Sequence, residues 1–280
     1  MPATRMSALT PILEREIRVP DDVPAAAARY RTARPFPHIV IDDMFSARML
    51  DDLIAEMPDT TREHWVAYDT KGLEKKLGLR SAIALQKTGF ELTAFLHSAA
   101  FLYFLTELTG IAELLPDPYL QGGGFSIILP GGFFNVHVDR NVAYETGLVR
   151  RLALIIYLNK SWRPEYGGQL ELWNRDGTER AVVVEPLFDR TIVFEIADEN
   201  YHGVPAPVAC PPGRSRNSFL VYYHTAALDG LRDIVPHTSR FASHPRGVRR
   251  DTIKARVKDW VPPVLFRALK KVAPYFRFGL

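Results

Sequence analysis

Between residues 124 and 223 the chain repeats one pattern eight times: a short run of alternating apolar residues, closed by Gly, Pro, Asp or Asn. The runs fall at 124–129, 133–139, 151–159, 169–173, 181–185, 191–195, 202–204 and 216–223. A period of two marks strands, and eight short strands separated by turn residues predict a sandwich or a barrel. The double-stranded β-helix, or jelly-roll, is the eight-stranded solution. The expected fold is therefore mainly β with flanking helices.

The residues before position 119 follow a different period. Residues 25–31 predict a short helix, stopped by Pro35-Phe36-Pro37 before a strand at 38–41. Ser46 is placed to cap a helix running to about Met57, with Met49, Leu50, Leu53 and Ile54 on one face. Residues 59–88 are polar and without a clear period, and predict an irregular loop. Residues 91–109 then predict one long apolar helix stopped by Gly110. These helices would cover one outer face of the β core.

Three stretches follow from this pattern: an N-terminal extension at 1–34, a β domain with its supporting helices at 35–226, and a basic tail at 227–280. In the tail, Val261, Val264, Leu265, Ala268, Leu269 and Val272 recur at helical spacing behind Pro262-Pro263. That stripe is expected to dock on the barrel or on a second copy of the chain, making a homo-oligomer one outcome. A net charge of +3 with no concentrated basic patch argues against a nucleic-acid partner. The single Cys210 excludes an internal disulfide and fits a reducing compartment. No apolar core of a secretory signal opens the chain, and charged and polar residues interrupt the most apolar stretch, 94–115. The expectation is a cytoplasmic protein with no membrane insertion.

The chemistry concentrates in His137-Val138-Asp139, His202 and Arg216-Asn217-Ser218. Alternation from Phe133 puts Asn135, His137 and Asp139 on one face, with Phe134, Val136 and Val138 on the other. Two strand positions span roughly 7 Å, a workable reach for two ligands of one metal. Taken singly these signals are weak, since a chain with eight histidines and 32 acidic residues holds roughly one His-x-acid by chance. In a jelly-roll, however, the second, seventh and eighth strands meet at one mouth of the barrel. Two imidazoles and a carboxylate occupy one face of an Fe(II) ion and leave positions open. An Arg with a neighbouring hydroxyl suits the carboxylate of a dicarboxylic co-substrate.

On these residues the stretch from about 36 to 225 resembles the Fe(II)/2-oxoglutarate-dependent oxygenases, specifically their prolyl 4-hydroxylase-like branch. The matching text includes Leu129-Pro130-Gly131-Gly132, the His137–Asp139 pair, Ile156-Tyr157-Leu158-Asn159 and Gly167-Gly168-Gln169-Leu170. Phe188-Asp189-Arg190, His202-Gly203-Val204 and Arg216-Asn217-Ser218 complete it. The resemblance implies that His137, Asp139 and His202 hold Fe(II). It implies that Arg216 pairs with the distal carboxylate of 2-oxoglutarate, helped by Ser218 and Tyr157. O2 is then the second co-substrate, ascorbate is a possible addition, and an unactivated C–H is hydroxylated with release of succinate and CO2. Two departures stand out: the segment from 139 to 151 is long, and Ala209-Cys210-Pro211-Pro212-Gly213 moves the Arg farther from the second His. Either Arg214 or Arg216 could meet the co-substrate; Arg216 is preferred because it shares a face with Ser218.

Substrate contacts are expected from Asn135, Arg140, Trp173 and His224, and from a lid-like loop around His64, Trp65 and Tyr68. The substrate class implied is a small molecule, an amino acid or a peptide. Two other readings stay open: a non-catalytic jelly-roll with a vestigial metal site, and a Zn hydrolase on the same three ligands.

Overall fold

The computed structural model describes residues 16–60, 64–79, 81–143, 146–227 and 234–242. The apolar stripe expected between 261 and 272 lies outside the described residues. Among the described residues four α-helices precede the barrel: α1 (Val23–Thr32), α2 (Ala47–Ala55), α3 (Lys87–Leu96) and α4 (Ala99–Thr109). In the same region lie strands β1 (His38–Asp42), β2 (Trp65–Thr70) and β3 (Glu74–Leu79). Side-chain caps set several boundaries: Asp22 accepts from Ala25 N at 2.9 Å, Ser46 from Met49 N at 3.1 Å and Ser98 from Phe101 N at 3.3 Å.

Ser98 also explains why the predicted single helix at 91–109 is two. Its backbone is extended and its hydroxyl opens a fresh helix, so α3 and α4 meet at a 53° bend. The first donors of α3 are met from the preceding helix, with the Glu56 carboxylate accepting from Thr88 N and Gly89 N at 2.8 and 3.0 Å. Among the described residues no single helix is long and apolar enough to cross a membrane.

A short β4 (Leu115–Pro116) leads into the eight strands that the alternation predicts. They are β5 (Gly124–Ile128), β6 (Phe133–Val138), β7 (Val149–Tyr157) and β8 (Leu170–Trp173), then β9 (Arg180–Val184), β10 (Arg190–Glu195), β11 (His202–Val204) and β12 (Arg216–Thr225). Antiparallel pairing gives the order β1-β10-β7-β12-β5 on one side and β6-β11-β8-β9 on the other. The two sides curl toward each other as a jelly-roll, which bears out the expected fold class.

Strand β3 bridges the two sides, pairing Leu77 with Ile127 of β5 and Glu74 with Phe134 of β6. The segment expected to be an irregular loop is thus a hairpin, β2–β3, turning at Gly72 with φ +72°. A last strand, β13 (Arg240–Phe241), pairs with Val138 and His137 of β6. It lies within the stretch read as tail, beyond residue 226. At the other end Ile17, in the stretch read as extension, is buried and bridges to Phe45.

The helices cover β7, β10 and β12 from outside. Leu152, Leu154, Ile156, Phe219, Val221 and Tyr223 face Leu50, Leu53, Leu92, Phe101 and Leu105 in one buried cluster. The Tyr223 hydroxyl donates to Leu96 O at 3.0 Å, tying the end of α3 to β12. A second cluster fills the space between the sheets, built on Ala153, Tyr157, Leu170, Leu172, Ile192, Phe194 and Tyr222. Phe219 is fully buried and meets Phe125 edge-on at 5.2 Å. Phe219→Ala should lower stability by about 3–5 kcal/mol, read as a fall in the urea midpoint at constant slope. Val183→Ala, at a position 45% exposed, should stay within about 0.5 kcal/mol; equal losses at both positions would contradict this account of the core.

Candidate metal centre and the pocket around it

The centre begins with an irregularity. His202 pairs with His137, whereas Val204 pairs with Phe134, so three steps along β6 face two along β11. The extra residue is a β-bulge, which turns the strand locally and re-aims its side chains. Asn135 holds it: its Oδ1 accepts from Val136 N at 2.9 Å and its Nδ2 donates to Gly72 O at 3.2 Å. Its backbone N–H donates to Leu73 O at 2.9 Å. Strict alternation is corrected here, because Phe134 and His137 lie on the same side with ring centroids 3.8 Å apart. Asn135, expected to touch substrate, has its amide engaged in the bulge and the β2–β3 turn. Gly203 sits where the strands are closest, and a Cβ there would lie 2.8 Å from Asn135 O.

Both histidines are held by their own backbone. His137 Nδ1 lies 2.8 Å from Asn135 O, and His202 Nδ1 lies 3.0 Å from Asn200 O. A carbonyl oxygen only accepts, so Nδ1 carries a proton in each ring, and in the neutral imidazole Nε2 keeps its lone pair. The two Nε2 atoms converge on one carboxylate, His137 at 3.4 Å from Asp139 Oδ1 and His202 at 3.7 Å from Oδ2. The three ligand atoms lie within 4.8 Å of one another, and all three residues are buried. Burial, reinforced by the charge of His137, pushes His202 down to about 4. Burial alone would raise Asp139, but the His137 contact and the charges of His202 and Arg150 hold it well below the usual carboxylate range. The buried Nε2 of His137 has no hydrogen-bond partner. An orphaned buried acceptor costs about 1–3 kcal/mol, a deficit that a cation between the three groups removes. Two imidazole nitrogens and an ionised carboxylate on one face fit non-haem Fe(II).

On one side of this centre lies Arg216, 4% exposed. Its Nε donates to Gly168 O at 2.6 Å, and its guanidinium carbon is 5.0 Å from the Tyr157 ring centroid. Gly168 has φ +76°, and a Cβ there would press to 2.9 Å on Arg216 Cδ. The Tyr157 hydroxyl is buried without a partner, and Ser218, also buried, is the residue paired with Tyr157 across β7 and β12. Arg214 points elsewhere, donating to Lys160 O and lying 5.5 Å from the Tyr166 ring. Of the two arginines, only Arg216 is inside.

The other side carries residues the sequence reading missed. Lys76 Nζ lies 3.3 Å over the Phe134 ring and 5.2 Å from the Tyr68 ring. Enclosure of the ammonium pushes Lys76 down to about 8. Arg150, 5% exposed, stacks 3.6 Å over the Tyr222 ring and donates to Gln121 O at 2.9 Å. Burial, and then the charge of Asp139, raises the Tyr222 phenol, so that ring borders the centre. Phe241 of β13 packs 5.7 Å from His137. Lys76 and Tyr68 share one register of the β2–β3 hairpin, a period-two pattern hidden by its charged residues.

The remaining expected contacts divide. Arg140 belongs with this group, its charge acting on both Tyr68 and Tyr222. His224 is buried beside Arg150 in register, with neither ring nitrogen partnered, and burial pushes it down to about 4. Trp173 has structural contacts of its own. It packs with Val136, Tyr201 and Ala242 in a cluster of its own and donates to Glu171 at 3.1 Å, which accounts for the residue structurally. Trp65 is buried and its indole donates to Asp59 O at 3.0 Å, so it anchors the hairpin.

Residues 123–224 match the family model described as the 2OG-Fe(II) oxygenase superfamily, a span that contains His137, Asp139, His202 and Arg216. A prolyl-4-hydroxylase from Pseudomonas putida superposes with a TM-score of 0.51 at 18% identity, covering 72% of this chain and 100% of that one. A prolyl hydroxylase from Trichoplax adhaerens, solved with a hypoxia inducible factor peptide fragment, superposes with a TM-score of 0.53 at 14% identity, covering 72% and 88%. At such identities the two likenesses establish the fold. Residues 123–224 are thus similar to the 2OG-Fe(II) oxygenase superfamily, on a fold like that of the prolyl 4-hydroxylases.

Proposed function

We propose that this protein is an Fe(II)- and 2-oxoglutarate-dependent dioxygenase that hydroxylates an unactivated C–H bond of a small-molecule, amino-acid or peptidyl substrate. 2-Oxoglutarate and O2 are consumed, and succinate and CO2 leave with one oxygen atom placed on the substrate. The observation that carries this reading is the convergence of two lone-pair-bearing Nε2 atoms on the Asp139 carboxylate, in a buried site with a buried guanidinium beside it.

In this reading His137, Asp139 and His202 hold Fe(II), which with 2-oxoglutarate supplies the O2 activation that no side chain provides. The chain's own residues do the rest. Asn135 O and Asn200 O fix the tautomer and the tilt of both imidazoles. Arg216 offers its fork to the distal carboxylate of 2-oxoglutarate, and Tyr157 supplies a hydroxyl with no other partner. Ser218 adds a second hydroxyl from the same strand. Phe134, Phe194 and Phe241 pack on the two imidazoles and keep water from the ligand nitrogens. Ascorbate would support turnover without a binding residue of its own.

Two measurements test the reading. Anaerobic addition of Fe(II) and 2-oxoglutarate should produce a metal-to-ligand absorption band, and O2 should then release succinate. Asp139→Ala should lose the band and cut succinate release by about 100-fold or more, beyond the 10–100-fold typical of residues that only support a ligand. Undiminished succinate from this variant would end the proposal. Separately, Arg216→Met should weaken 2-oxoglutarate binding by about 2 kcal/mol or more, roughly 30-fold, while Fe(II) binding persists. Unchanged 2-oxoglutarate affinity would remove Arg216 from the co-substrate site.

A further inference from the structure

Two cations near the centre have no role in the chemistry proposed above. Lys76 makes no hydrogen bond and no ion pair among the described residues, and its ammonium rests on Phe134, the ring stacked on His137. A lysine on a hairpin of this kind ordinarily extends its head into water; this one turns inward. Arg150 is more deeply buried. Its Nε has no partner, its only acceptor is the Gln121 carbonyl, and no carboxylate lies within 4.0 Å among the described residues. Tyr68 is common to both, with Lys76 over its ring and the charge of Arg150 acting on its hydroxyl. The charges of Lys76 and Arg150 both reach Asp139.

Taking an unpaired charge out of water is costly unless a counter-charge arrives. Asp139 does not serve as that counter-charge in the loaded enzyme, since it is committed to the metal. The 2-oxoglutarate dianion does not serve either, because its far carboxylate goes to Arg216 and its other end goes to the metal. Two enclosed cations therefore face the substrate side without a counter-ion. We infer that Lys76 and Arg150, with the Tyr68 and Tyr222 rings against them, form a second anion site that holds a carboxylate or phosphate group of the substrate beside the metal centre. The identity of the occupant as substrate rests on the proposed function; the anion site itself does not. The substrate is thus an acid, anchored by its charge while a neighbouring C–H is presented to the centre.

Calorimetry with methylphosphonate and with acetate as probes tests this in low-salt buffer, on enzyme loaded anaerobically with Fe(II) and saturating 2-oxoglutarate and, in parallel, on metal-free protein. At least one probe should bind saturably in both preparations, the stronger one indicating which acid group the substrate carries. Lys76→Met, a change on the partly exposed hairpin that leaves the barrel core intact, should weaken that binding at least tenfold while the 2-oxoglutarate band persists. Arg150→Gln should do the same where the variant folds. Absence of saturable binding by either probe, or equal binding by Lys76→Met, overturns the inference. A tenfold loss of 2-oxoglutarate affinity in Lys76→Met also overturns it, by assigning the lysine to the co-substrate. Should the wild-type protein form no Fe(II)–2-oxoglutarate band, the proposed function fails, and the metal-free titration still decides the anion site.

Discussion

The cross-strand pair of His137 and His202 is the contact on which the rest of the site depends. It joins β6 to β11 at one rung of the ladder, with ring centroids 4.5 Å apart. Each ring spends its Nδ1 proton on a carbonyl two residues earlier in the chain, Asn135 in β6 or Asn200 in the turn before β11. Strand geometry thereby fixes the tautomer: a neutral imidazole whose Nδ1–H is used internally presents an unprotonated Nε2 to the interior. The bulge at Asn135 is the cost of this arrangement, and the asparagine amide offsets it by meeting the donor and acceptor that the bulge would otherwise leave open.

Around that rung the electrostatics separate by side. The metal side is imidazole and anionic carboxylate, with His202 kept uncharged near neutrality by burial. The cations stand off from it in two places, Arg216 by Tyr157 and Lys76 with Arg150 by Tyr68 and Tyr222. Aromatic rings lie under all three cations. A ring face lowers the cost of holding a cation away from water without neutralising it, so the positive charge stays available to an incoming anion. Carboxylates in those places would have formed internal ion pairs and closed the pocket chemically.

The barrel was legible because its strands carry their own pattern. All eight runs from Gly124 to Thr225 form strands, since burial on one face imposes period two whatever the neighbours are. Arg216 could be preferred over Arg214 from its shared face with Ser218, and only Arg216 is buried. What stayed hidden depends on partners far away in the chain. The β2–β3 hairpin has little apolar alternation of its own and is held by pairing to β5 and β6. The bulge at Asn135 is a mismatch of count between β6 and β11, so neither strand alone reveals it. The break between α3 and α4 did have a local cause, Ser98, outweighed in the reading by the apolar run on both sides of it. Trp173 follows the buried Leu172 in β8 and packs in a separate cluster, a neighbourhood that the strand alone does not show.

The placement of the cations separates two tasks along the sequence. Every residue proposed to hold metal or co-substrate lies within 123–224, the span that matches the superfamily. Lys76, Tyr68 and Phe241 come from outside it, from a hairpin before the barrel and a two-residue strand after it, and they reach the centre only by pairing to β5 and β6. Changes in those flanking strands alter the substrate side without touching a ligand, because the rung of His137 and His202 is closed by contacts internal to β6, β11 and the turn before His202. On the proposed function, reaction type is therefore a property of the barrel, and the charge and shape of the substrate are read by what the flanks lay across its mouth.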